Sequence, residues 1–117
     1  NDDWQEAQVH LHPQLRTAAV KEKMIWCIRQ LNPFEISKHL PVTGESRLVD
    51  STIAACLLPL LESPQSMLSL VARWQQLRPV NPVTLESTTQ EEGFEMVKQA
   101  LTGLEENGYV LVEGQPN

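Results

Sequence analysis

This chain is short of positive charge, of aromatic residues and of cysteine. Each shortage removes a class of function. Lys and Arg number nine against fifteen Asp and Glu, a net charge of −6. The deficit is uneven: from Glu86 onward Lys98 stands alone against Glu86, Glu91, Glu92, Glu95, Glu105, Glu106 and Glu113, whereas acids and bases balance before it. A nucleic-acid-binding domain draws most of its affinity from phosphate contacts and presents a basic face, so the charge argues against nucleic acid. Only two cysteines are present, Cys27 and Cys56, with no C-x-x-C pair. Both sit in apolar helical patterns and read as buried thiols of a reducing, cytoplasmic compartment. No apolar run approaches the roughly 20 residues needed to span a bilayer. The longest, 53–61, is interrupted by Pro59. Low complexity and internal repeats are absent, and so are a Ser-His-Asp order, a nucleophile elbow and a glycine-rich phosphate loop. These absences lead to the expectation that the chain is not an enzyme and holds no cofactor or metal.

What is there is a set of helix signals. Thr89 followed three residues later by Glu92 is a capping box, each side chain satisfying a backbone N–H that the first turn leaves unpaired. Phe94, Val97, Leu101 and Leu104 recur behind it at helical spacing, flanked by Met96 and Ala100. Asn107-Gly108 is a helix stop, and residues 109–112 (YVLV) have strand composition. Upstream, Leu15, Ala18, Met24, Ile25, Ile28 and Leu31 predict an amphipathic helix over 15–31, with Lys21, Glu22, Lys23, Arg29 and Gln30 on its wet side. The cluster 24–28 (MIWCI) leaves a strand open as the alternative. Asn32-Pro33 predicts a helix over 34–40, with a turn at 41–45 around Gly44. A strongly apolar helix follows over 47–61, kinked or cut short by Pro59. Ser63-Pro64 starts another, with Met67, Leu68, Leu70, Val71, Trp74 and Leu77 on its apolar face. Pro79 and Pro82 break the chain before a short strand or ordered loop at 83–88.

Together these predict a mainly α, α+β domain: a winged-helix-like helical domain with a short β-strand or hairpin. The expected organisation is an N-terminal polar arm (1–13), a single domain (14–113) and a tail (114–117). The arm holds a candidate edge strand at 9–13. The chain opens on Asn1 rather than Met and so reads as a fragment or processed product, with no signal peptide.

The chemistry-bearing groups are few. His10-x-His12 has the alternation that puts two ligands on one face of a strand, with Asp2, Asp3 and Glu6 as the nearest further donors. Two histidines do not make a site. The stretch EISKHLPVTGES has the rhythm of a helix-turn-helix, and Lys38 and Arg47 would be its phosphate or base contacts, opposed by Asp50. Tryptophan is enriched among interface hot spots. Trp26 and Trp74 have core-like neighbours, which leaves Trp4 as the aromatic group without an evident burial partner.

Two families share parts of this pattern. Residues 48–66 (LVDSTIAACLLPLLESPQS), then a helix, a gap and 101–110 (LTGLEENGYV), resemble the PqqD-like peptide recognition elements of peptide-modifying pathways. In that family an apolar helix, a turn of the DGT type, another helix and a terminal L..L...G helix recur. ESPQS stands where the turn would be, and the family's N-terminal three-stranded sheet is not legible in this sequence. The stretch STIAACLLPLLESPQSMLSLV is also similar to the C-terminal regulatory region of some bacterial methyltransferases. Neither resemblance carries over a catalytic residue. Both imply a non-catalytic winged helix that binds a peptide segment or docks on a companion enzyme. Binding by an added strand would use Trp4, Val9 and Leu11 on the arm, and Tyr109, Leu111 and Val112 on the last strand. A DNA-binding regulator using Lys38 and Arg47 is the alternative.

Overall fold

The last helix forms where its signals stand. In the computed structural model, which describes residues 3–36, 48–78 and 85–113, α4 spans Gln90–Glu106. Thr89 Oγ1 accepts from the Glu92 N–H and Glu92 Oε1 accepts from the Thr89 N–H, each at 3.1 Å. Glu91 and Glu92 lie in the first turn, where the positive end of the helix dipole favours them. Gly93, Val97, Leu101 and Leu104 are buried. At the other end Gly108 adopts φ 81, its N–H bonding the Glu105 carbonyl while the Tyr109 N–H bonds that of Leu104, each at 3.0 Å. That pair of bonds is a Schellman motif, and buried Tyr109 and Leu104 supply its apolar contact.

The remaining elements place the predicted boundaries differently, and each difference has a physical reason. The first helix, α1, is Ala18–Gln30, capped by Thr17 Oγ1 on the Val20 N–H at 3.2 Å. Met24 and Cys27 face inward one helical turn apart, so this stretch is helix and not strand. Leu15 is buried in a preceding 3-10 turn, Pro13–Leu15. After Asn32-Pro33 the chain is extended: β2 (Phe34–Glu35) pairs antiparallel with β3 (Leu48–Val49). Burial of Phe34 and Val49 outweighs the cap-and-proline signal for a helix. Ile36, just after β2, is buried, and residues 37–40 of the predicted helix and the 41–45 turn lie outside the described residues.

The predicted 47–61 helix divides. Asp50 Oδ1 caps α2 (Ser51–Leu57) by accepting from the Ile53 N–H at 2.9 Å, and a 3-10 segment, Leu58–Leu61, continues it. Pro59 has no N–H for the α-helical bond, and the chain tightens there. Residues Gln65–Ser66 form a short strand, β4, and Ser66 rather than Ser63 caps α3 (Met67–Leu77). Trp74 is buried on α3 and donates Nε1–H to the Thr52 carbonyl at 3.1 Å. Where α3 meets α4, a Cβ on Gly93 would stand 3.2 Å from Gln75 Cγ and 3.4 Å from Trp74 Cζ3, so the helices approach closely there.

The N-terminal segment departs most from its predicted role. Gln8–Leu11 is β1, the central strand of a three-stranded antiparallel sheet in the order β4-β1-β5, with β5 being Val110–Glu113. It is not an edge strand on an arm. Ala7, Val9 and Leu11 alternate into the core, and alternation of this kind is what a sheet packed on helices requires. The Met67 N–H bonds the Ala7 carbonyl and the His12 N–H bonds that of Tyr109, each at 2.9 Å, extending the pairing at both ends of the strand. The domain is thus α+β, with four α-helices and small strands among the described residues, built around one core. No helix among the described residues is long and apolar enough to cross a membrane.

Leu31 ends α1 in the left-handed region, φ 57 and ψ 33, with its side chain 65% exposed. That conformation costs an L-residue with a Cβ about 1–2 kcal/mol, and glycine gives back about 0.4–1 kcal/mol through the freer unfolded chain. Leu31→Gly is expected to raise stability by about 0.5–1 kcal/mol in urea titration with an unchanged m-value. A lower midpoint would show that the αL residue is not strained.

Candidate functional site

The register of β1 on β5 decides which residues face outward. The pairs are Gln8–Glu113, Val9–Val112, His10–Leu111 and Leu11–Val110. The bond from the His12 N–H to the Tyr109 carbonyl makes His12–Tyr109 a hydrogen-bonded pair. Alternation then makes His10–Leu111 and Gln8–Glu113 bonded pairs too. It follows that the polar main-chain groups of Val110 and Val112 point to the outer side of β5. There the Val112 N–H already has a partner, Glu105 Oε2 at 3.3 Å.

The side chains follow the same alternation. Val9, Leu11, Val110 and Val112 are buried, while Leu111 is 54% exposed. Beside it on the outward face, His10 Nε2 lies 3.2 Å from Glu113 Oε1, a diagonal electrostatic contact across the two strands. At this end of the sheet opens a crevice of about 530 Å³. Its apolar lining comes from Leu11, Leu60, Pro64, Val110 and Leu111, and its polar groups are His10, His12, Arg16 and Glu105. Arg16 Nη2 donates to the Glu62 carbonyl at 3.1 Å, which holds the guanidinium against the turn carrying Leu60 and Pro64. His12 Nδ1 accepts from the Gln14 N–H at 3.1 Å, so a neutral His12 carries its proton on Nε2.

The residues expected to bind a partner separate sharply. Val9 and Tyr109 are fully buried and Leu11 and Val112 nearly so, and of these four Leu11 alone contributes to the crevice lining. Trp4 is half-buried, packed on the core, with Lys98 Nζ 6.0 Å from its ring centroid. Leu111 alone of the six stands out into solvent. Trp26, read as a core residue, is 43% exposed, while Trp74 is buried. The phase of α1 explains this: Val20, Met24 and Cys27 define the buried stripe, and Trp26 sits roughly 100° from Cys27. Lys38 and Arg47, the DNA-contact candidates, lie outside the described residues.

Of the described histidines and cysteines, His12 and Cys27 are tied to the backbone. Among the described residues no group of three or more His, Cys, Asp or Glu is placed to hold a metal ion. His12 lies past the end of the strand and uses Nδ1 as a cap. Cys27 Sγ donates to the Val49 carbonyl at 3.5 Å. Burial, with a smaller contribution from the Asp50 carboxylate, pushes both thiols above their ordinary range, Cys56 very far. A raised pKa favours the thiol over the nucleophilic thiolate.

The crevice groups Arg16, Leu60 with Pro64, and Glu105 come from three separate stretches, and no spacing rule links them in sequence. Comparison with protein-family models, with curated proteins and with solved structures finds no match to this chain.

Burial gives the two candidate residues of this strand region opposite expectations. Tyr109→Ala should cost roughly 3–5 kcal/mol, as for other large aromatic side chains removed from a core. Leu111→Ala should cost less than about 1 kcal/mol. Paired urea or thermal melts check this, and equal losses would contradict the register of β1 on β5.

Proposed function

We propose that this chain is a non-catalytic protein- or peptide-binding module of winged-helix type, which seats a peptide segment, free or on a companion enzyme, in the crevice at the end of the sheet. The observation that carries the proposal is Leu111, half-exposed above an apolar crevice of about 530 Å³. Sites of this size, mostly apolar with a few convergent polar groups, are where proteins bind partners and ligands. The winged-helix part is supported by the order α2-β4-α3-α4-β5, with both β4 and β5 paired to one antiparallel strand between them. In a winged helix the third strand follows the second as a wing. Here β1 fills that position from the other end of the chain.

Docking by side-chain insertion fits better than addition of a long strand. The outer edge of β5 is short, and one of its N–H groups is taken by Glu105. A paired strand would have to displace that carboxylate from the Val112 N–H. An apolar side chain entering beside Leu11, Leu60 and Leu111 displaces no such bond.

A photo-crosslinking amino acid at position 111 is expected to trap a discrete protein partner in cells, while the same group at Gln99, on the solvated face of α4, traps none. Indistinguishable adduct patterns at the two positions would overturn the proposal. The DNA-binding alternative is opposed by α4, which stands where a winged helix carries its reading helix and exposes Glu91, Glu92, Glu95 and Glu106. No shift of a mixed-sequence duplex is expected even near 50 mM salt, where phosphate contacts are strongest. A salt-sensitive shift would revive that alternative.

A further inference from the structure

α1 has two faces that are hard to tell apart by hydropathy. Its inner stripe is Val20, Met24 and Cys27. Its outward side carries exposed Ala18, Ala19 and Trp26 and partly exposed Ile25, and just past its end stands Leu31. The other long helix is different: α4 exposes Glu91, Glu95, Gln99, Thr102 and Glu106, a solvated face with no apolar group among them. Helix α1 also has the opposite charge. Lys21, Lys23 and Arg29 outnumber Glu22, a local surplus of positive charge in a chain of net charge −6. Lys23 Nζ lies 5.5 Å from the Trp26 ring centroid, so the cation and the ring share one patch. Between Ala19 and Trp26, with Glu22 and Lys23 beside them, is a pit of about 310 Å³.

We propose that this face of α1 docks an acidic amphipathic helix of a partner protein, one apolar side chain seating in the Ala19–Trp26 pit while its carboxylates meet Lys23 and Arg29, which flank Trp26 on either side. Small residues at 18 and 19 leave room for a partner backbone to come close, and helices pack by such interdigitation. Tryptophan flanked by basic groups is the composition of an interface hot spot. Charge complementarity selects an acidic occupant. A second copy of this chain is the poorer occupant, because the exposed row of its acidic α4 carries no apolar side chain and Phe94, Met96 and Ala100 beside that row are packed on the core. An anionic membrane would meet a chain of net charge −6 through one helix of 13 residues, so a protein segment is the better occupant. The surface shares no residue with the sheet-end crevice and does not depend on it.

The test is selection of a display library of helix-forming peptides on the whole chain, with Trp26→Ser protein in solution as competitor. Trp26 is exposed enough for that variant to fold, which circular dichroism checks. The expected result is enrichment of peptides with apolar residues at i, i+3 or i+4 and i+7 flanked by Asp or Glu. Their binding should weaken by about 10-fold or more, about 1.4 kcal/mol, in Trp26→Ser and in the Lys23→Glu/Arg29→Glu double variant. Gln99→Ala, on the solvated face of α4, should leave it unchanged. Enrichment of peptides without acidic residues, equal binding to Trp26→Ser, or no enrichment would overturn the proposal. Trp26-dependent sedimentation with phosphatidylserine vesicles would overturn it too, in favour of a membrane surface.

Discussion

Strand β1 is held from both sides. β4 pairs with it at Gln8 and Val9, and β5 along its whole length from Gln8 to Leu11. Among the described residues neither β4 nor β5 pairs with any other strand, so four residues near the start of the chain join the segment before α3 to the segment after α4. The helices depend on the same strand, since Val9 and Leu11 belong to the core that Leu70, Trp74, Val97 and Leu101 fill. An isolated two-stranded pairing is marginal in water, and three strands with an apolar face are the smallest arrangement that holds. The pairing partners of β1 stand more than fifty residues from it in sequence, so the sheet carries an entropic cost of loop closure that the apolar burial offsets.

That central position also fixes what the surface can offer. A sheet has a period of two, so one register sends every second residue inward. Val9, Leu11, Val110 and Val112 go to the core together, and His10, Leu111 and Glu113 go out together. The outward set is small and mixed: one aliphatic group beside a histidine–carboxylate contact. Leu111 stays half in water because its pair partner is His10 and the described helices pack on the opposite face. The crevice is a consequence of β4 being only two residues long. Past Val9, β1 pairs with no described strand on that side, and the turn carrying Leu60 and Pro64 stands over the gap instead.

How much of this was legible depended on whether the signal was local. The capping box at Thr89, the glycine stop at Gly108 and the buried stripe of α4 are arrangements within a few residues, and they can be read directly. So can the caps at Asp50 and Ser66 once the strands before them are known. The Asn32-Pro33 signal is equally local and points to helix, yet β2 forms because Phe34 finds Val49 across the pair, a contact between residues fifteen apart. The role of β1 could not be read at all. Four residues with two aliphatic groups have the same composition at an edge or a centre, and only the positions of β4 and β5 distinguish them. The site suffered from the same limit: Tyr109 and Leu111 are two residues apart in one strand-like run, and the reversal that buries Tyr109 comes from the Schellman turn pulling its N–H back to Leu104. Trp26 is a different failure, one of helical phase, since choosing Val20, Met24 and Cys27 as the inner stripe would have placed it outside.

Glu105 connects the stability of the fold to its proposed use. An unpaired strand edge invites pairing with other chains, and native proteins commonly blunt such edges with charge. Glu105 does so from α4, its carboxylate accepting the Val112 N–H that would otherwise begin a ladder. The same carboxylate is part of the crevice lining. A helix side chain placed there by the Leu101–Leu104 packing therefore closes the edge to indiscriminate strand addition and leaves the crevice as the open feature of this end of the sheet. In the proposed use, selectivity would rest on the shape of an apolar side chain and the polar groups around it, Arg16 and His12 included, rather than on main-chain pairing that any extended peptide could supply. The acidic excess of the last third of the chain belongs to the same picture. It keeps α4 solvated, so the apolar surface on which the two proposals rest, Leu111 at the crevice and Trp26 on α1, lies outside that helix.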